Sequence, residues 1–277
     1  MNSFTKKYKV GIVGFGFVGE AQAYLFSPIA DIKIYDIDVK KKTHELNEVL
    51  KQDIVFVSLP TPMEKDGKQN LSFLYDFFDT VGNTKCIFVL KSTVLPGTTI
   101  HLRKKYNIKI VFSPEFLTEQ SYKLDILTQP RIILGGDKKI VKKVLELFKS
   151  RDNNKHYVIT DDITAEFTKY MNNTFLATKI SLLNEFFRVA QKTGVNWKHA
   201  IDGFSSDPRV GNSHLNVPGS DGKLGFGGSC FPKDINALIN FGNDMGLKFN
   251  VLEAAWKTNL EVRPEKDWEK LKKRAVV

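Results

Sequence analysis

A chain of 277 residues suffices for one large domain or two ordinary ones, and a hydrophobic content of 42% is that of a globular protein. Two cysteines argue against a disulfide framework, no apolar run reaches membrane-spanning length, and the polar residues 1–9 hold no apolar signal core, so a reducing cytoplasm is the expected compartment and no membrane partner is expected. The net charge of +10 suits an anionic small molecule; with no basic stripe interleaved with aromatics and no zinc spacing, neither a nucleic-acid partner nor a metal is expected.

In chain order, short apolar runs alternate with helical stretches. Residues 8–13 read as a strand, 19–26 as a helix, and 32–35 and 53–59 as strands, the second apolar through its centre. A helix over 71–80, a strand over 86–90, a helix over 97–106 and strands over 109–112 and 131–134 follow. An amphipathic helix over 138–150 puts Lys138, Lys139, Lys142 and Lys143 on one exposed face, and 157–160 adds a last strand. This alternation predicts an α/β fold, a Rossmann-type doubly wound and mostly parallel sheet covered on both faces. After residue 160 the pattern changes. Asp161 and Asp162 are N-cap candidates for a long helix to about residue 192, stopped by Gly194. Residues 197–204 follow without an assigned element, 205–228 is a Gly/Pro/Asn/Asp-rich stretch, and 233–245 and 251–261 read as two helices. Lys270, Lys272, Lys273 and Arg274 fit a frayed tail. The expected domains are therefore 1–160, the sheet, and 161–277, an all-helical domain with a long central helix.

The first strand runs into Gly14-Phe15-Gly16-Phe17-Val18-Gly19, which opens the first helix. Gly14, Gly16 and Gly19 match the dinucleotide fingerprint: a tight turn, close approach of a pyrophosphate to the backbone, and tight packing of helix on strand. Asp36 follows the second strand, about twenty residues on, where a carboxylate accepts from both ribose hydroxyls and repels a 2′-phosphate. That favours NAD over NADP, although Lys40, Lys41 and Lys42 close behind pull the other way.

Ligands of such sheets bind outside the carboxyl ends of the strands. Three of those ends carry unusual residues: Pro60-Thr61-Pro62, Lys91-Ser92-Thr93-Val94-Leu95-Pro96-Gly97, and Ser113-Pro114-Glu115-Phe116-Leu117. Thr93 and Glu115 would face the nicotinamide end of the cofactor, where a hydroxyl and a carboxylate can hold and activate water. The long helix carries Lys169 and Asn173, four apart on one face. Phe167, Tyr170, Met171, Phe175, Leu176 and Ile180 surround them, which reads as a helix largely buried on nearly all sides. A lysine there needs a partner and could stabilise a developing oxyanion.

Cys230 sits in Gly225-Phe226-Gly227-Gly228-Ser229-Cys230-Phe231-Pro232-Lys233-Asp234. Three glycines open the backbone before the sulfur, and Pro232 suits the first turn of a helix. A thiol just before a helix N-terminus and beside a lysine favours thiolate, the form a nucleophile needs.

Together these motifs resemble the UDP-glucose/GDP-mannose dehydrogenase family, over residues 9–259. The resemblance rests on Gly14-x-Gly16-x-x-Gly19, Ser92-Thr93-Val94, Pro114-Glu115-Phe116-Leu117, Thr168-Lys169-Tyr170-Met171-Asn172-Asn173 and the Cys230 segment. It implies NAD-dependent four-electron oxidation of a nucleotide sugar's primary alcohol to the acid, with UDP-glucose the favoured substrate. Cys230 resembles the nucleophile that forms a thiohemiacetal and then a thioester. Lys169 and Asn173 match oxyanion stabilisers, Asp234 a carboxylate in water or proton handling, Thr93 a water-positioning residue, and Glu115 a general base or a water partner in thioester hydrolysis. Phe17, Val18, Thr61, Thr93, Glu119 and Lys233 join Gly14, Gly16, Gly19 and Asp36 as implied cofactor contacts. Glu115, Phe116, Leu117, Lys169, Asn173, Phe226, Gly227 and Gly228 are implied substrate contacts, and Arg209 matches an arginine reaching the substrate from a neighbouring subunit. A homodimer through the long helix is implied as well. Family members usually continue into a second Rossmann-like domain that binds the substrate's nucleotide, whereas this sequence stops at Val277; the segment 213–223, with His214, Asn216 and Asp221, could supply substitute contacts or be a surface loop. Two rivals stay open: a β-hydroxyacid dehydrogenase, which shares a Lys-x-x-x-Asn pair but needs no glycine-rich cysteine loop, and a non-catalytic NAD-binding protein.

Overall fold

The computed structural model describes residues 7–277; residues 1–6 of the polar amino-terminal stretch lie outside the described residues. The chain divides into two compact units. The first takes residues up to Thr61 together with Leu71–Lys169, and the second takes Pro62–Asn70 and Tyr170–Val277.

Among the described residues the first unit holds a seven-stranded sheet: β1 (Tyr8–Val13), β2 (Ala30–Tyr35), β3 (Ile54–Val57), β4 (Ile87–Leu90), β5 (Lys109–Phe112), β6 (Arg131–Gly135) and β7 (His156–Thr160), in the order β2-β1-β3-β4-β5-β6-β7. Strands β1 to β5 are parallel. β6 meets β5 antiparallel at the single pair Phe112 and Gly135, and β7 runs parallel to β6. Every residue of β3 and β4 is buried, which is why these strands read as unbroken apolar runs rather than alternating ones. The helices are α1 (Phe17–Phe26), α2 (Leu46–Val49), α3 (Ser72–Thr80), α4 (Thr98–Tyr106), α5 (Tyr122–Thr128) and α6 (Lys138–Arg151). On one face Phe26 of α1 stacks on Phe56 of β3 at 5.3 Å and meets Phe148 of α6 edge-on at 5.2 Å. On the other, Phe77 and Phe78 of α3 pack edge-on against Phe88 of β4. The sheet is thus doubly wound. The chain steps from β1 outward to β2 and then back across to β3, so the strand order reverses between β1 and β3, where such folds open a crevice. The sequence reading missed α2 and α5.

The helix α7 (Asp162–Thr193) leads into the second unit, which adds α8 (Trp197–Ser205), α9 (Phe231–Asp244) and α10 (Asn250–Val262). Its core is Ala177, Phe226, Ile235 and Ala255 with Phe231 and Trp256, and a smaller cluster joins Leu183 to Leu215 and Val217. Two expectations need correction. The tail is not frayed: Asp267–Lys270 form a 3-10 turn, Trp268 and Ala275 are buried, and Met63 N–H donates to Ala275 O at 2.8 Å while Val277 N–H donates to Met63 O at 3.1 Å. The apolar belt of α7 is not covered all round. Tyr170 is buried, but Phe167, Met171 and Phe175 are exposed, because the helix packs its own unit along one side only. Segment 213–223 holds no helix or strand and is mostly exposed, with Leu215 and Val217 anchoring it in the core and Asp221 pairing with a buried arginine, Arg263.

Candidate active site

The first unit presents the glycine turn between β1 and α1. Gly14 has φ +84°, and a Cβ on Gly19 would lie 2.1 Å from Gly14 O, so only glycine lets α1 start this close to the strand. Gly16 is the N-cap of α1, carries no side-chain cap, and a Cβ placed there would meet no atom within 4 Å. A helix start with open space in front of it is what a pyrophosphate needs. Asp36, at the end of β2, reaches this turn: its Oδ2 accepts from Phe15 N–H at 2.6 Å and its Oδ1 from Asp38 N–H at 2.8 Å. Phe17 and Val18 are half-buried in the first turn of α1. The residues present therefore fit a dinucleotide. Among the described residues no group of three or more His, Cys, Asp and Glu could hold a metal ion, and no helix is long and apolar enough to cross a membrane.

The ends of β3, β4 and β5 lie side by side on the same edge of the sheet, because these strands are parallel neighbours. The loops after them are tied together: Thr61 Oγ1 donates to Thr93 O at 2.8 Å and Leu59 N–H donates to Ser92 Oγ at 2.9 Å. Glu115 is 7% exposed, and its Oε2 accepts from Leu117 N–H at 2.9 Å. Burial raises the Glu115 pKa, opposed by the ammonium groups of Lys169 and Lys91. Lys169, buried near the start of α7, donates to Glu115 O and lies 5.1 Å from the centre of the Phe116 ring. Leu117 is buried beneath that loop, and Glu119 stands exposed after it.

Two buried groups of this edge escaped sequence reading. Lys91 donates to Ser113 Oγ at 3.2 Å and Pro114 O at 3.1 Å, and burial lowers its pKa to about 8 against the pull of Glu115. Glu166 of α7 accepts from Gly97 N–H at 2.6 Å and Thr99 N–H at 2.7 Å, capping α4; burial raises its pKa to about 7. Lone charged residues in a run read as surface, and neither has a spacing that signals burial.

In the second unit Cys230 is half-buried and is the N-cap of α9, with Pro232 in the first turn. Its Sγ lies 3.8 Å from Ser229 Oγ. The neighbouring Lys233 is committed to Asp234, Nζ to Oδ1 at 2.5 Å, and Asp234 Oδ2 accepts from Asn173 Nδ2 at 2.6 Å. All three side chains are buried, Asp234 to 1%. A carboxylate fixed by two donors has one orientation, and the Asn173 amide keeps a second hydrogen free for a ligand oxygen. Phe226 is buried in the core, while Gly227 is partly exposed and Gly228 fully so, in the turn before Cys230. Arg209 is 89% exposed and pairs with Asp207 at 2.5 Å. His214 rests against the Phe231 ring at 5.6 Å.

Residues 41–151 match the NAD binding domain of the UDP-glucose/GDP-mannose dehydrogenase family, and residues 163–261 match its central domain. The UDP-glucose 6-dehydrogenase of Rickettsia conorii is 35% identical over 221 residues, which is 77% of this chain and 50% of that protein. The chain thus spans about half the length of the curated relatives it matches. A UDP-glucose dehydrogenase structure from Pyrobaculum islandicum superposes with a TM-score of 0.82 at 27% identity, covering 94% of this chain and 70% of that one. A 3-hydroxyisobutyrate dehydrogenase from Mycobacterium tuberculosis gives 0.74 at 15% identity, covering 94% of each, which is a likeness of fold alone.

Proposed function

The chain belongs to the UDP-glucose/GDP-mannose dehydrogenase family, and from that premise we propose that it oxidises the primary alcohol of a nucleotide sugar to the acid, UDP-glucose to UDP-glucuronate being the favoured pair. The observation that carries this reading is Cys230 at the start of α9, with the chain of hydrogen bonds through Lys233, Asp234 and Asn173 beside it. Residues 1–160 serve the cofactor, and 161–277 carry the nucleophile.

NAD, when bound, supplies the hydride acceptor, and an alcohol taken to an acid uses two in turn. Gly14, Gly16, Phe17, Val18, Gly19 and Asp36 would hold its pyrophosphate and ribose, with Thr61, Thr93, Glu119 and Lys233 as further contacts. The Cys230 thiolate adds to the carbonyl carbon of the aldehyde stage, giving a thiohemiacetal; loss of hydride from that carbon leaves a thioester, so the aldehyde stays bound between oxidations. Lys169 and Asn173 hold the oxyanion. Thr93 orients the water that attacks the thioester, Glu115 takes its proton, and Asp234 returns protons to the departing sulfur. The raised pKa of the buried Glu115 suits a base. Phe116, Leu117, Phe226, Gly227 and Gly228 border the sugar.

Arg209, exposed at the surface, would serve a second copy of the chain. An uncovered row on α7, Met171 at 54%, Phe175 at 66%, Leu182 and Phe186 at 47% and Val189 at 59% exposed, supports a homodimer through that helix. Sedimentation as a monomer would count against it. Two cysteines outside any disulfide fit the cytoplasm.

Purified protein given NAD and UDP-glucose should form two NADH per UDP-glucuronate, and Cys230→Ser should abolish acid formation. NAD binding without NADH formation across a panel of nucleotide sugars overturns the proposal in favour of a non-catalytic NAD-binding protein.

A further inference from the structure

We propose that Arg263 is the positioning residue of the cysteine turn: its buried guanidinium, gripped by the more exposed Asp221 and Asp267, fixes the backbone at Gly227 and thereby sets where Cys230 stands at the start of α9. The role rests on Cys230 being the nucleophile.

Arg263 closes the C-terminal end of α10 and is 2% exposed. Its Nε donates to Asp267 Oδ1 at 2.6 Å and its Nη2 to Asp267 Oδ2 at 3.0 Å. Nη2 also reaches Asp221 Oδ2 at 2.5 Å, and Nη1 donates to Leu224 O at 3.2 Å. One guanidinium thus ties together α10, the 3-10 turn and the segment before the glycine run. The fork leaves it a single plane, and Gly227 lies against that plane: a Cβ there would sit 2.6 Å from Nη2, 2.7 Å from Cζ and 2.7 Å from Asp267 Oδ1.

The preceding half of the turn is held by amides. Asn184 Oδ1 accepts from Gly225 N–H at 3.1 Å, and Asn259 takes both backbone groups of Phe226, accepting at 2.7 Å and donating at 3.0 Å. Those bonds end at Phe226. Between Phe226 and Cys230 the chain runs through two glycines and a serine, residues with almost no side chain to anchor them, so the guanidinium is the wall that limits their path. A guanidinium buried to this degree carries a desolvation cost, and an apolar group of similar volume would fill the same space without it. What an apolar group lacks is the fixed fork that holds a flat face against a glycine Cα.

The test reads the thiol directly. Cys230 is alkylated with iodoacetamide and followed by mass spectrometry, with buried Cys86 as the slow internal reference. Gly227→Ala is the sharpest variant, because its backbone suits an L-residue and the added methyl displaces the guanidinium without removing a charge. Alkylation of Cys230 should fall about tenfold in Gly227→Ala and Arg263→Met. Arg263→Lys should recover part of that rate, and Asp221→Asn should fall between. Where turnover is measured, kcat should drop with KM for NAD unchanged. Wild-type alkylation rates in Gly227→Ala and Asp221→Asn proteins with native circular dichroism overturn the clamp, including the case where Arg263→Met fails to fold. Wild-type protein without turnover instead overturns the enzymatic reading, and the alkylation rates still decide the clamp.

Discussion

Two glycine-rich turns in this molecule each end at a helix start, and they use glycine for opposite purposes. The turn before α1 keeps its key glycine, Gly16, facing empty space, and no side chain caps the helix. The turn before α9 presses its glycines against its own unit, Gly225 onto Asn259 and Gly227 onto Arg263. A third helix start, that of α4, is filled by the buried carboxylate of Glu166. One start is left for a ligand's charge, one carries a thiol, and one is occupied by the protein itself. Glycine content alone does not say which; the space around each Cα does.

Substitutions at these three places should separate the purposes. The largest effect is expected for Gly225→Ala, where φ is +66° and the new methyl would lie 2.4 Å from Asn259 Oδ1. Strain and collision together should destabilise by about 3 kcal/mol, about 10 °C in melting temperature by calorimetry. An unchanged melting temperature would break the contrast, since Gly225 would then be as unconfined as Gly16. Gly16→Ala should behave in the reverse sense: melting temperature unchanged, but NAD affinity weakened about tenfold in a fluorescence titration, because the methyl occupies the pyrophosphate's approach.

The smallest effect belongs to the occupied helix start. Burial raises the Glu166 pKa from the ordinary 4.5 to about 7. Between those values the folded chain holds a proton that the unfolded chain has released, so stability is whole below about 4.5 and is lost as pH rises through about 7. Wild-type protein should lose a few degrees of melting temperature across that window, and Glu166→Gln should flatten the decline. An identical pH slope in both proteins would mean that the carboxylate is already ionised at its cap.

The strands and motifs were legible because they are local. Residues 8–13 and 109–112 were delimited as the structure has them, since a buried parallel strand is an apolar run with turns at both ends. The helices α2 and α5, four and seven residues long, are too short for an apolar stripe to repeat. The reversal of β6 was invisible because one pairing, Phe112 with Gly135, carries it. Cys230, Lys169 and Asn173 stood out by type and spacing. The residues that hold the turn before Cys230 did not. Asn184 and Asn259 reach Gly225 and Phe226 from helices far along the chain, and a lone asparagine or arginine on a helix looks like surface until its partner is known.

The pairing of Met63 with Ala275 and Val277 bears on the order in which this chain folds. It joins residue 63 to residues 275 and 277, closing a loop of roughly 210 residues. Such a contact waits for both ends to exist and repays its closure entropy only after nearer neighbours have assembled. The sheet can mature while residues 62–70 still lack their partners. Pulse-labelled amide exchange during refolding should therefore find the Met63 N–H protected after those of β3 and β4.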